Sequence, residues 1–177
     1  MPKNSVMQIE KDEKRILEEL ETNANKSVNE IAKTCGFSRQ KVWRIIKNLE
    51  KNNTIWGYIP VLDEVKLNKK SFILLMKKTN KPVTKEIMDQ IINRELSKKV
   101  KKTGIEIISS IYTNGIYDWV VCFNAADLRD AKGFVEVFNK LYQGYVSDIH
   151  LLENMFSVVG SRIANPEIER FNDFLNI

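Results

Sequence analysis

The chain has 177 residues, 43% of them hydrophobic, with 28 Lys and Arg against 23 Asp and Glu for a net charge of +5. That length and apolar content allow one large core or two small ones, and the start MPKNSVMQIEKDEK lacks an apolar signal core, so a cytoplasmic protein with no membrane partner is expected. Two distant cysteines without CxxC spacing argue against a disulfide framework or a zinc site, a lone histidine, His150, cannot build a multi-histidine metal site, and no cofactor is expected.

Taken in order, residues 1–10 read as a polar arm with one apolar pair, Val6 and Ile9. Residues 12–20 predict a first helix with Ile16, Leu17 and Leu20 on one face, followed by a polar connection at 21–26. In SVNEIAKTCGFSRQKVWRIIKNLEK, residues 27–51, Ser27 and Glu30 form a capping-box pattern and Gly36 supplies the freedom for a sharp exit. Ser38 can cap a second helix on which Val42, Ile45, Ile46 and Leu49 recur at helical spacing. Small Ala32, turn-forming Gly36 and buried Val42 have the spacing of a helix-turn-helix, whose second helix enters the DNA major groove.

If Val42, Ile45, Ile46 and Leu49 face inward, the outer set is Ser38, Arg39, Gln40, Lys41, Trp43, Arg44 and Lys47. Arg and Gln near a helix start reach base edges, whereas lysines suit phosphates. Trp43 has two readings, contact with DNA sugars or thymine methyls and packing against a wing. The local balance, five basic residues against one Glu over 38–51, fits a polyanion. The bland alternative is a helical hairpin with a solvated charged face.

Residues 55–62, IWGYIPVL, are β-rich, and with Gly57 and Pro60 they predict a short edge strand forming one side of a wing, then a link over 63–70. Phe72 to Met76 is a continuous apolar run, expected as a strand buried on both faces. Residues 83–102 predict one helix striped by Val83, Ile87, Ile91, Leu96 and Val100, stopped by Gly104. Strands at 105–113 and 117–123 flank an Asn114-Gly115 turn, a helix follows at 127–142, and a long strand closes at 149–159. Cys122 reads as a small core residue. The order is that of a ferredoxin-like βαββαβ domain over 71–160, an α+β architecture whose uncovered sheet face predicts dimerisation.

Four ordered segments resemble the leucine-responsive regulatory protein/AsnC group of transcription regulators. They are IEKDEKRIL, SVNEIAKTCGFSRQKVWRIIKNLE, TIWGYIPVLDEVKL and NGIYDWVVCF, and the resemblance spans about residues 8–160. It implies an N-terminal winged helix-turn-helix over 1–62 and a RAM-type βαββαβ domain. It also implies a sequence-specific regulator whose partners are double-stranded DNA and itself, as a dimer or a larger tetramer or octamer. Family members commonly bind an amino acid between dimers, and the matching positions here are Asn114, Gly115, Tyr117 and Asp118. There, backbone amides around Gly115 would hold a carboxylate and Asp118 an ammonium group. The alternative is a plain hairpin turn, with Gly115 at positive φ and Asp118 bonded to nearby backbone.

Two stretches depart from the family pattern. Residues 69–102 carry 11 basic and 3 acidic side chains, and the segment 77–104 is longer and more basic than is usual. It alters the oligomer, binds nucleic acid, or is solvated helix. A tail over 161–177 with Phe171, Phe174 and Leu175 is extra, and docking on a partner subunit is one use for it. Siroheme decarboxylase subunits share this architecture, but their His-containing segment is missing from IISSIYTNGIYDW, so no enzyme and no catalytic residue is expected. Low-specificity DNA packing is the other alternative, favoured by the basic segment.

Overall fold

A computed structural model describes residues 6–175. The chain divides into two units, Met1–Pro60 and Val61–Ile177, which are described separately. The first holds α1 (Val6–Thr22), α2 (Val28–Cys35) and α3 (Arg39–Lys51). Of the polar arm expected at 1–10, residues 1–5 and the side chains of Val6 and Ile9 lie outside the described residues, and the chain is already helical from Val6.

Local chemistry sets the ends of these helices. The Glu30 amide donates to Ser27 Oγ at 3.2 Å while the Ser27 amide donates to Glu30 Oε2 at 2.7 Å, completing the capping box of α2. Gly36 ends α2 at φ 65°, a left-handed conformation that costs a side-chain-bearing residue about 1 kcal/mol or more. Ile16, Ile31, Ala32, Cys35, Val42, Ile45 and Leu49 form the core of the unit. Each large aliphatic side chain buried there contributes roughly 1.5–3 kcal/mol. Burial also pushes the Cys35 thiol above its ordinary range, so this cysteine is an inert packing residue.

Residues 55–62 form no strand, which corrects the expected wing ladder. The Ile55 amide donates to the Leu49 carbonyl at 3.0 Å and its side chain packs on the core, but Trp56 is 95% exposed. Among the described residues of this unit there is no second strand to pair with, and Pro60 has no amide to donate.

The second unit runs β1 (Lys70–Lys78), α4 (Lys85–Ile92), α5 (Glu95–Val100), β2 (Glu106–Tyr112), β3 (Trp119–Ala125), α6 (Leu128–Leu141) and β4 (Val146–Asn154). The sheet order is β2-β3-β1-β4, every pair antiparallel, as a βαββαβ domain requires. Leu74 sits between Val121 and Leu151, and this register turns Phe72, Leu74, Met76, Trp119, Val121 and Phe123 toward the helices. There they meet Ala131, Phe134, Phe138 and Tyr142 of α6, with ring centroids 4.3 Å apart for Phe123 and Phe134 and 5.0 Å for Trp119 and Phe138. The buried Tyr142 phenol is pushed up to about 12 by desolvation.

Three expectations change. β1 alternates between buried and half-buried residues instead of being covered on both sides. Its second face carries Ile73 and Leu75 beside Val120 and half-buried Cys122, with Ile111 and Leu152 exposed at the margins, so Cys122 is not in the core. The single helix expected at 83–102 is two, because Arg94 takes φ 55°. Ile91 and Leu96 are five residues apart, about 140° out of phase on a continuous helix. The break resets that phase, so that Ile87 and Ile91 as well as Leu96 and Val100 pack on one core.

The long strand expected at 149–159 starts earlier and stops at Asn154. Val159 belongs instead to a small hairpin of β5 (Val159–Gly160) and β6 (Ile163–Ala164), whose turn residues Ser161 and Arg162 both have positive φ. The chain ends in α7 (Phe171–Leu175), with Phe171 against Phe156 and the side chain of Phe174 outside the described residues. Among the described residues no helix is long and apolar enough to cross a membrane.

Candidate nucleic-acid interface

Helix α3 is amphipathic in the expected phase. Val42, Ile45 and Leu49 are buried, while Arg39, Gln40, Trp43, Arg44 and Lys47 share the opposite, exposed face. Trp43 is 57% exposed, and the described residues of this unit hold no β-ladder for it to pack against. Ser38 serves as the N-cap, its side chain accepting from the Lys41 amide at 3.2 Å. That hydroxyl anchors the helix start from which Arg39 and Gln40 project.

Lys41 behaves differently from its neighbours. Its Nζ lies 2.6 Å from Asp12 Oδ2 and 4.0 Å from the centre of the Phe37 ring, with Arg15 5.1 Å from the same ring. The Asp12 side chain is only 4% exposed and also accepts from Gln8 Nε2 at 2.9 Å. The hydrogen bond from Lys41 holds the Asp12 carboxyl below its ordinary range despite burial, which acts the other way. Lys41 thus ties α3 to α1, and its charge is already matched within the unit. Asp12 was expected only as the start of the first helix, not as a partner of Lys41. The available signal was an acid one turn before Ile16, on the stripe that continues to Leu20.

Lys47 is held at the outer face by Glu50, 2.6 Å away, which also accepts from the Tyr58 hydroxyl at 3.3 Å. Arg39 and Arg44 make no ion pair with any described residue. The surface therefore presents two unneutralised guanidinium groups, one amide, one indole and a lysine on a single helix of 13 residues.

The hairpin residues Asn114, Gly115, Tyr117 and Asp118 lie together at the β2–β3 turn. Gly115 does not have positive φ, which corrects the turn conformation expected for it. The Asp118 carboxylate accepts from the Lys78 amide at 2.9 Å, and its other oxygen lies 3.6 Å from Lys78 Nζ. The Asp118 amide donates to the Met76 carbonyl at 2.8 Å, so this residue closes the end of the sheet. Tyr117 packs edge-on to His150 at 5.6 Å, with Lys77 Nζ 5.9 Å from its ring centre.

A family profile for winged helix-turn-helix DNA-binding domains matches residues 13–55. A search of curated protein sequences finds no match. Solved structures resemble the chain along most of its length. An AsnC family transcriptional regulator from Agrobacterium tumefaciens is 20% identical, with 84% of this chain and 92% of that one covered at a TM-score of 0.62. The leucine response regulatory protein of Mycobacterium tuberculosis is 14% identical, with 85% and 95% covered at 0.68. A transcriptional regulator from Neisseria meningitidis, solved as a complex with L-Met, is 17% identical, with 88% and 95% covered at 0.65. The chain thus has the fold of the AsnC and leucine-responsive regulators, a helix-turn-helix unit followed by a βαββαβ unit.

Proposed function

We propose that this protein is a sequence-specific DNA-binding transcription regulator of the Lrp/AsnC type, acting as a dimer or larger homo-oligomer. The observation that carries the proposal is the exposed face of α3, where Arg39, Gln40, Trp43, Arg44 and Lys47 project from a helix anchored by Ser38 and by the Lys41–Asp12 pair. Arg39 and Gln40 are placed near the helix start, from which such helices reach base edges, and Arg44 and Lys47 follow one turn later toward phosphates. Lys41 positions the helix rather than supplying a free charge. Trp43 offers an apolar surface suited to a thymine methyl or a sugar.

Pairing through the uncovered sheet face brings two such helices into one molecule, and Ile73, Leu75 and Val120 supply an apolar centre for it. Modulation by an amino acid at Asn114, Gly115, Tyr117 and Asp118 is part of the proposal. It is supported by the L-Met complexes of two proteins of the same fold. In this chain Asp118 is already engaged by Lys78, so an effector ammonium must compete with that contact.

The test is a mobility-shift titration on the DNA upstream of the protein's own gene, at two salt concentrations and against excess random competitor. A discrete complex that survives competitor is expected. Binding abolished by competitor would replace the proposal with low-specificity DNA packing.

A further inference from the structure

The lysines of the second unit differ in how their charge is matched. Toward the sheet, Lys66 pairs with Glu167, Lys69 with Glu106 at 2.7 Å, Lys70 with Glu153 at 2.8 Å and Lys78 with Asp118 at 3.6 Å. At the end of α5 the pattern reverses. Lys98 is matched by Glu95, but Lys99, Lys101, Lys102 and Arg94 are exposed without an ion pair to any described residue. Lys140, near the end of α6, joins them, because Lys99 and Lys140 line one groove of about 400 Å³ with Gln90, Val137 and Leu141. Glu136 lies one turn before Lys140 yet makes no ion pair with it. Arg94, Lys99, Lys101, Lys102 and Lys140 thus carry charge that no carboxylate of the described residues pairs.

Two features separate this surface from an ordinary solvated helix. The break at Arg94 holds α5 against the core through Leu96 and Val100, so Lys98, Lys99, Lys101 and Lys102 are presented from an anchored turn. The surface also lies on the helix side of the sheet, opposite the apolar face assigned to dimerisation, and pairing leaves it open.

We infer that the surface formed by Arg94, Lys99, Lys101, Lys102 and Lys140 is a second contact for double-stranded DNA, made to its phosphates and independent of sequence. The inference rests on the DNA-binding reading of α3 and extends it. Phosphate contacts of this kind add affinity for duplex DNA of any sequence without adding specificity. Duplex DNA suits the surface because it is a line of fixed negative charges, and Arg94, Lys99, Lys101, Lys102 and Lys140 are cations without an ion pair to any described residue.

The experiment measures binding of the full-length protein to a long duplex of mixed sequence over a range of salt concentrations. Three forms are compared: wild type, the quadruple variant K99Q/K101Q/K102Q/K140Q, and R44A/K47A. Each lysine that meets a phosphate contributes about 0.9 to the slope of log affinity against log salt. The quadruple variant is expected to lose roughly tenfold or more in affinity with a correspondingly shallower slope. On a short duplex covering only the operator it should bind as the wild type does, which also shows that it is folded. A wild-type slope on the long duplex overturns the inference, as does an equal loss on both duplexes. An unchanged slope in R44A/K47A overturns the α3 reading and leaves this surface to be judged on its own slope. Anionic phospholipid vesicles are the remaining comparison. If the four substitutions abolish vesicle binding while duplex binding stands, the surface meets a membrane and the inference fails.

Discussion

Replacing Lys41 by Ala should destabilise the first unit more than replacing Asp12 by Ala, although both remove the same ion pair. The difference follows from where each charge is left. The Asp12 side chain is 4% exposed and that of Lys41 is 28% exposed, at a separation of 2.6 Å. Without Lys41, a carboxylate stays buried with Gln8 as its remaining side-chain donor. Without Asp12, the lysine stem can swing its ammonium into water. Removing one partner of a fully buried pair costs about 3–5 kcal/mol. Partial exposure of Lys41 lowers this to about 2–3 kcal/mol for Lys41→Ala, and to about 1–2 kcal/mol for Asp12→Ala.

Denaturant unfolding of both single variants and the double variant measures these costs and their coupling. The pH dependence provides a second check. Because the folded carboxyl of Asp12 titrates below its ordinary value of about 3.9, its contribution is present above that pH and is lost as pH falls through the folded value. The stability difference between wild type and Asp12→Asn should be level near neutral pH and shrink below about pH 4. Were Lys41→Ala to cost less than Asp12→Ala, or under about 0.5 kcal/mol, the buried-charge reasoning would be refuted.

Arg44→Ala with Lys47→Ala should weaken DNA binding by tenfold or more on the order expected for two lost phosphate contacts, while the unfolding midpoint stays within a degree or two of wild type. Calorimetry and a mobility shift on the same preparations separate the two effects. Val120→Asp places a charge at the centre of the uncovered sheet face and should abolish the proposed dimer by sedimentation, with helical content retained. Phe138→Ala, which removes a fully buried ring from between Trp119, Phe134 and Tyr142, should cost about 3–5 kcal/mol in the second unit.

The helix-turn-helix was legible in the sequence because its determinants are local. Ser27, Glu30, Gly36 and Ser38 act within four residues of themselves, and the stripe of Val42, Ile45 and Leu49 fixes which side of α3 is exposed. The strand and helix order of the second unit was equally readable from its periodicity. What escaped is non-local or set by phase. The Lys41–Asp12 pair joins residues 29 apart in sequence, a separation that no pattern of spacing reports. The break at Arg94 uses a good helix former in a left-handed conformation, and only the mismatch between Ile91 and Leu96 announces it. The wing was expected from β-propensity at 55–62, but propensity makes no ladder without a partner strand. At the hairpin, Asp118 is committed to the Lys78 amide, a neighbour brought in by strand pairing across 40 residues.

Selection of duplexes bound by the full-length protein from a random pool, followed by sequencing, tests the role of α3 most directly. Enrichment of a pseudo-palindromic site whose half-sites are separated by whole turns of the double helix is expected, with loss of that enrichment in Arg39→Ala with Gln40→Ala. A pool that stays random, or a site retained unchanged by that variant, would contradict the assignment of the exposed face of α3 as the surface that reads DNA.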